Sequence, residues 1–154
     1  MTLSTIRPAV IDDAAALARL SGELGYATAV STMRERLHTL QADARYCLRV
    51  ADHAVHGVVG WVSVQKGLTL ESGELYEITG LVVSASQRQQ GIGKRLVQAA
   101  QAWADAQGAT TMRVRSNIRR AESHPFYQSL GYMLDKTQHV YSKPLHPRPV
   151  PPKR

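Results

Sequence analysis

The stretch Leu81-Val82-Val83-Ser84-Ala85-Ser86-Gln87-Arg88-Gln89-Gln90-Gly91-Ile92-Gly93-Lys94-Arg95 decides how this chain is read. Its first three residues form an unbroken apolar run, as expected in a strand covered on both faces, and they close a strand predicted over Leu75 to Val83. Beyond the glycines the period changes: Ile92, Leu96, Ala99, Ala100 and Trp103 recur at helical spacing. Gly108 is placed to stop that helix at its C′ position. A glycine loop therefore joins a buried strand to a helix start. There the backbone can approach a ligand closely, and the first free N–H groups of the helix point at an anion with the helix dipole behind them. A phosphate or pyrophosphate fits. Two familiar glycine patterns do not: G-x-G-x-x-G needs glycine where Leu96 stands, and a Walker A loop needs Ser or Thr where Arg95 stands. The plainer alternative is that Gly91 and Gly93 only tighten a strand-to-helix turn.

Working outward, residues 3 to 7 suit a short strand, and Asp12 is placed as the N-cap of a helix carrying Leu17, Leu20 and Leu24 on one face. Thr32 and Glu35 have capping-box spacing ahead of Met33, Leu37 and Leu40, which predicts a second, short helix. Tyr46 to Ala51 and Val58 to Val64 read as a hairpin turned near Gly57. Past the central helix, Met112 and Val114 alternate with Arg113 and Arg115 in a further strand. A helix over about Glu122 to Leu130 ends at Gly131, and Val140 and Tyr141 are assigned to a last strand. There is no internal repeat. The order βαα-ββ-βα-βα-β predicts an α/β fold, a single sandwich with a mixed sheet flanked by helices.

The chain has 154 residues, 44% of them apolar and 20% charged, which suits one ordinary globular domain. No apolar run approaches the roughly 18 residues that span a bilayer, and the start lacks the order of a signal peptide; no membrane association and a cytoplasmic location are expected. Cys47 is the only cysteine, so no internal disulfide forms and no cysteine-built metal site is expected. The six histidines show no ligand spacing, and no metal is assigned. The net charge of +7 is uneven, because the stretch from 143 to 154 holds Lys143, Arg148, Lys153 and Arg154 with no acid, together with five of the seven prolines. We therefore divide the chain into a domain over 1–142 and a Pro-rich basic tail over 143–154, extended or flexible.

The loop residues Arg88, Gly91 and Gly93 fill the pattern [QR]-x-x-G-x-[GA], which resembles the acetyl-coenzyme A loop of the GCN5-related N-acetyltransferase (GNAT) family. Phe126-Tyr127-Gln128-Ser129-Leu130-Gly131-Tyr132 resembles the family's downstream [FL]-Y-x-x-L-G-[FY] motif. The match covers roughly Leu75 to Tyr132, with a weaker likeness at Ile6-Arg7-Pro8-Ala9 and Asp12-Asp13-Ala14. Ser84-Ala85-Ser86 stands where many relatives have Asp-Pro, and Gln89-Gln90 where Arg-Gly or Gly-Lys is common. Thr79 and Gly80 stand where many carry an acid or amide.

The resemblance implies the acyl-CoA N-acyltransferase fold and an N-acetyltransferase that passes an acetyl group from acetyl-CoA to a primary amine by direct attack in a ternary complex. It implies coenzyme contacts from Leu81, Val82, Val83, Arg88, Gln89, Gln90, Gly91, Ile92, Gly93 and Lys94, and an amide from Asn117 near the pantetheine or an ordering water. Glu77, eleven positions before Arg88, matches the family's general base, with Glu74 in reserve; Tyr127 matches the acid that reprotonates the thiolate. Main-chain N–H near Val83, where the central strand bulges, would stabilise the oxyanion.

Each assignment has a plainer counterpart. Glu77 could be a structural ion pair, Tyr127 a packed helix tyrosine and Asn117 a turn residue; Arg119 and Arg120 suit a coenzyme phosphate or a solvated loop equally. Glu71, Glu74 and Glu77 cannot share one face of a strand with period two, so only a subset lines a pocket; that acidic stretch suggests attraction for a cationic amine. Cys47 reads as a small buried hydrophobe and His124-Pro125 as a helix entry, not as a covalent pair. The acceptor, a small-molecule or protein amine, is open, and so is a homodimer. A contrasting reading is a non-catalytic coenzyme-A-binding module, or a nucleic-acid or ribosome-associated module carried by the tail; nucleic acid is the less favoured partner.

Overall fold

A computed structural model describes residues 4–116 and 123–146. The chain divides into two compact units, Met1–Arg115 and Ser116–Arg154. In the first, β1 (Ser4–Pro8), β2 (Tyr46–His53), β3 (Gly57–Thr69), β4 (Gly73–Val83) and β5 (Arg113–Val114) form one sheet in the order β1-β2-β3-β4-β5. The first three pairings are antiparallel and β4–β5 is parallel. The sheet is thus mixed, and α3 (Ile92–Ala106) is the crossover that a parallel neighbour requires.

Side-chain alternation sorts the sheet's two faces. Val50 of β2, Trp61 of β3 and Val82 of β4 are cross-strand neighbours and pack with Leu17 and Leu20 of α1 (Ala14–Glu23) and Leu37 of α2 (Val30–Gln41). Gly60 and Val62, one position away from Trp61, face α3. A Cβ on Gly60 would lie 3.2 Å from Leu96 Cδ1 and 2.9 Å from the Val82 carbonyl, so glycine here lets the helix seat on the sheet. Ile92, Leu96, Val97, Ala100 and Ala104 are the buried stripe of α3. At the far end of the helix the Tyr76 ring meets Trp103 edge-on at 6.1 Å and its hydroxyl donates to the Gln107 carbonyl.

Three local expectations are corrected. Asp12 lies in a 3-10 turn (Ile11–Asp13), and Asp13 is the residue at the start of α1. Its buried carboxylate accepts from Arg7 Nη1 and Nη2 at 2.8 and 2.9 Å and from the Val10 N–H at 2.8 Å, tying α1 to β1. Thr32 and Glu35 do not cap α2, which begins two residues earlier at Val30 with Ala29 as its cap. Val140 and Tyr141 are in no strand: residues 133–144 have no regular secondary structure, and both side chains are strongly exposed. The second unit contains α4 (Ser123–Ser129), which confirms His124-Pro125 as a helix entry. The Tyr132 N–H donates to the Tyr127 carbonyl at 3.1 Å past Gly131, which takes a positive φ of 92°, a helix stop of the kind glycine allows.

Candidate active site

The site is built along β4 and the loop that leads from it into α3. β4 pairs with β3 in regular register except at Thr79, which has no partner because Val64 faces Ile78 and Ser63 faces Gly80. This is a β-bulge, and it falls four residues before the expected region near Val83. The Thr79 and Ser63 hydroxyls are 2.7 Å apart. A Cβ on Gly80 would stand 2.6 Å from two carbons of the Trp61 ring, so the indole lies directly on the bulge. On the other side, the β4–β5 pairs among the described residues are Glu77↔Arg113 and Ile78↔Val114. From Thr79 to Val83, β4 therefore offers an edge to which β5 contributes no rung among those residues. Backbone N–H and C=O groups on that edge that no β5 residue engages among the described residues suit pairing with an extended ligand.

Past Val83 the chain is held at several points. The Ser84 N–H donates to the Val59 carbonyl at 2.7 Å, and the Ala85 N–H to Glu23 Oε1 at 3.0 Å. Glu23, at the end of α1, is a loop anchor that the motif does not reveal. A 3-10 turn (Ala85–Gln87) follows with Gln87 buried. Then Gln89 and Gly91 both take left-handed backbone conformations, φ 63° and 77°. Glycine accepts that region freely, whereas glutamine adopts it at a cost of about 1–2 kcal/mol. Arg88, Gln89, Gln90, Gly91 and Lys94 are exposed. Ile92 is buried and fixes the first turn of α3, Gly93 lies in that turn, and Arg95 Nη1 donates to the Ser4 carbonyl at 2.9 Å. No side chain caps α3, and the space where a Gly91 side chain would project is open. The N–H groups at the start of a 15-residue helix are thus left for an external acceptor. This arrangement fits a pyrophosphate.

Glu77 lies on β4 with its side chain 19% exposed. The Nε of Arg113 donates to its Oε2 at 2.9 Å, and the Nε of Arg115 lies 3.4 Å from the same oxygen. Glu77 therefore belongs to a structural ion pair, whatever further role it has. It opens into a cleft of about 770 Å³ together with Gln65, Lys66, Arg45 and the two arginines. Glu74 lines the same cleft and pairs with Lys66 Nζ at 3.5 Å; Glu71 lies in the turn before β4 and does not line it, so a subset of the three acids faces the cleft, though not the subset that strand alternation alone selects. The picture of an acidic attractor changes, because each of the two lining acids is already matched by a base. Arg113 and Arg115 were legible as alternating residues of a strand, but nothing in their own neighbourhood pointed to Glu77.

Tyr127 lies in α4, in the second unit, with ring contacts to Phe126 at 5.1 Å and Tyr132 at 5.9 Å. Asn117, Arg119 and Arg120 fall outside the described residues. Cys47 is buried in β2, and burial pushes its thiol pKa up against a smaller opposing effect of Arg49, which is unsuited to a nucleophile. Among the described residues no group of three or more His, Cys, Asp or Glu is placed to hold a metal, and no helix is long and apolar enough to cross a membrane.

Residues 15–132, more than half of the chain, match the family model described as the acetyltransferase (GNAT) family. No curated protein sequence matches. Among solved structures, an acetyltransferase from Trypanosoma brucei is 22% identical with a TM-score of 0.78, covering 91% of this chain and 99% of that one. An aminoglycoside 6′-N-acetyltransferase from Acinetobacter haemolyticus is 18% identical with a TM-score of 0.79, covering 92% and 99%. Glucosamine-6-phosphate N-acetyltransferase from Arabidopsis thaliana is also 18% identical at 0.79, covering 90% and 97%. At these identities the structures establish the shared fold alone.

Proposed function

Because the chain belongs to the GNAT acetyltransferase family, we propose that it transfers an acetyl group from acetyl-CoA to a primary amine by direct attack in a ternary complex. The observation that carries this reading is the uncapped start of α3, opened by left-handed Gln89 and Gly91 in the loop that leads from a strand bulged at Thr79. Acetyl-CoA supplies an activated thioester carbonyl. The chain's own residues do the rest. Main-chain N–H groups of Gly91 to Lys94 receive the pyrophosphate, with Arg88 beside them, and the Leu81 to Val83 edge aligns the pantetheine arm. Donors on the bulged strand meet the negative charge that develops on the carbonyl oxygen.

An alkylamine with a pKa near 10.4 arrives protonated, and Glu77, directly or through a water, accepts the proton so that the nitrogen can form its bond to the carbonyl carbon. Arg113 and Arg115 hold the Glu77 carboxylate in the cleft. As the carbon–sulfur bond breaks, the Tyr127 phenol gives its proton to the departing sulfur, and the second proton shed by the acylated nitrogen passes to solvent, from which the phenolate is reprotonated. The contrasting reading, a module working through its basic tail, rests on Arg148, Lys153 and Arg154, which lie outside the described residues.

The test is calorimetric titration of the full chain with acetyl-CoA, with Gly91→Glu as control. Wild type binds and the variant does not, because a carboxylate now occupies the anion's place. Tyr127→Phe then lowers thiol release at least tenfold with coenzyme affinity unchanged. Failure of the wild type to bind overturns the proposal.

A further inference from the structure

We infer that the acceptor amine also carries an anionic group, a carboxylate or a phosphate, received by Arg115 with Arg113 at the rim of the Glu77 cleft. This rests on the transfer reading above and names its substrate class. Three carboxylates stand in or beside the cleft. Asp43 is matched by Arg45 at 2.7 Å and Glu74 by Lys66 at 3.5 Å. Glu77 alone faces two bases, both approaching the same oxygen. Among the described residues one positive charge is therefore left over, and it is localised at Arg113 and Arg115.

The geometry names the better recipient. Both contacts to Glu77 run through Nε, so the paired Nη1 and Nη2 end of each guanidinium is not what Glu77 holds. That end is the fork matching a carboxylate or phosphate in two parallel hydrogen bonds. Arg115 is the looser of the two, at 3.4 Å against 2.9 Å, and its side chain is 64% exposed against 32% for Arg113. Among the described residues Glu77 is its one ion-pair partner. Arg113 thus orients Glu77 and Arg115 is available to a ligand. Glu77 beside Arg115 presents a negative and a positive group together, the complement of a molecule whose ammonium and anion lie a few bonds apart. A polyamine would bring added cations against the surplus charge.

The experiment follows the arginine Nε–H signals of the full-length, nitrogen-15-labelled chain, with Arg113 and Arg115 assigned through Arg113→Gln and Arg115→Gln. Inorganic phosphate, acetate and putrescine are titrated separately at constant ionic strength. The expected result is a saturable shift of both signals with at least one anion and none with putrescine. Read from Arg113, the anion's apparent affinity falls about tenfold in Arg115→Gln, as losing a charge-assisted bond requires. The stronger of the two anions identifies the group as phosphate or carboxylate. No saturable shift with either anion, or a shift with putrescine at lower concentration, overturns the inference. Coenzyme A titrated calorimetrically into the same samples keeps the two readings apart. Intact coenzyme binding without an anion shift removes only the substrate class, whereas an anion shift without coenzyme binding removes the transfer reading, and with it the acceptor assignment, and leaves an anion site alone.

Discussion

Replacing Gly80 by alanine is expected to damage the bulge through a single contact. The added Cβ would lie 2.6 Å from Trp61 Cη2 and Cζ3, whereas carbons at their optimal separation stand about 3.5–4.0 Å apart. The ring or the strand must move by roughly 1 Å to restore that distance. Neither yields easily, because Trp61 is a rigid ring packed against the cluster of Leu17, Leu20, Val50 and Val82, and Gly80 is fixed by its pairing with Ser63. Overpacking of this kind costs about 1–3 kcal/mol. Urea unfolding of wild type and Gly80→Ala measures the loss as a lower midpoint at unchanged slope. The specific claim is that Trp61 supplies the obstruction. Trp61→Leu removes the two ring carbons, so Gly80→Ala should cost less than about 1 kcal/mol in that background, a coupling of the size that contacting residues show. Equal cost in both backgrounds would refute the reasoning.

Asp13→Asn should lower stability by about 1.5–3 kcal/mol near neutrality, since it removes the charge from bonds to Arg7 and Val10. Burial raises the Asp13 pKa, but the Arg7 hydrogen bonds, the Val10 N–H and the Arg7 charge together outweigh it and hold the group below the usual carboxylate range. A depressed folded pKa gives stability that is complete above the unfolded value, about 4, and is lost as pH falls through the folded one. The gap between wild type and Asp13→Asn therefore closes on acidification below about pH 4; a gap that stays constant through that range would contradict the pairing. Gln89→Val should weaken acetyl-CoA binding at least tenfold by calorimetry, because a β-branched residue at φ 63° makes the left-handed conformation a genuine outlier. An unchanged affinity would mean that this conformation is not needed for binding.

The parts of the fold legible in the sequence were those set by local periodicity. Ile92, Leu96 and Ala100 predicted α3 because one buried stripe suffices to specify a helix. The capping pair Thr32 and Glu35 misled because a cap contributes only about 1 kcal/mol, and the packing of Leu37 fixes where α2 lies. Val140 and Tyr141 have strand-forming side chains, but a strand exists only with a partner, and propensity carries no information about one. The loop was legible for a further reason: a positive φ at Gly91 leaves a residue-type signature. Its second left-handed position did not, since Gln89 is not a glycine and its conformation is set by neighbours. The bulge at Thr79 and the contact of Glu77 with Arg113 depend on register between segments 16 and 36 residues apart, which no local pattern encodes.

That dependence on register gives the site its unity. Glu77, the bulge at Thr79, the Leu81 to Val83 edge and the loop to Gly91 lie on one uninterrupted stretch of chain. From Glu77 to Val83 the spacing is therefore set by strand geometry, about 3.3 Å per residue before the bulge shortens it, and beyond Val83 by the anchors that hold the loop. Because side chains alternate, a one-residue slip of β4 against β3 would turn Glu77 to the α3 face and present Ile78 to the cleft. The bulge guards against that slip from above through Trp61 on Gly80, and the Arg113 pairing from below. On the proposed reading, residues that hold register, rather than those that touch an acetyl group, thus decide whether the Glu77 carboxylate and the Gly91 loop can serve the same ligand.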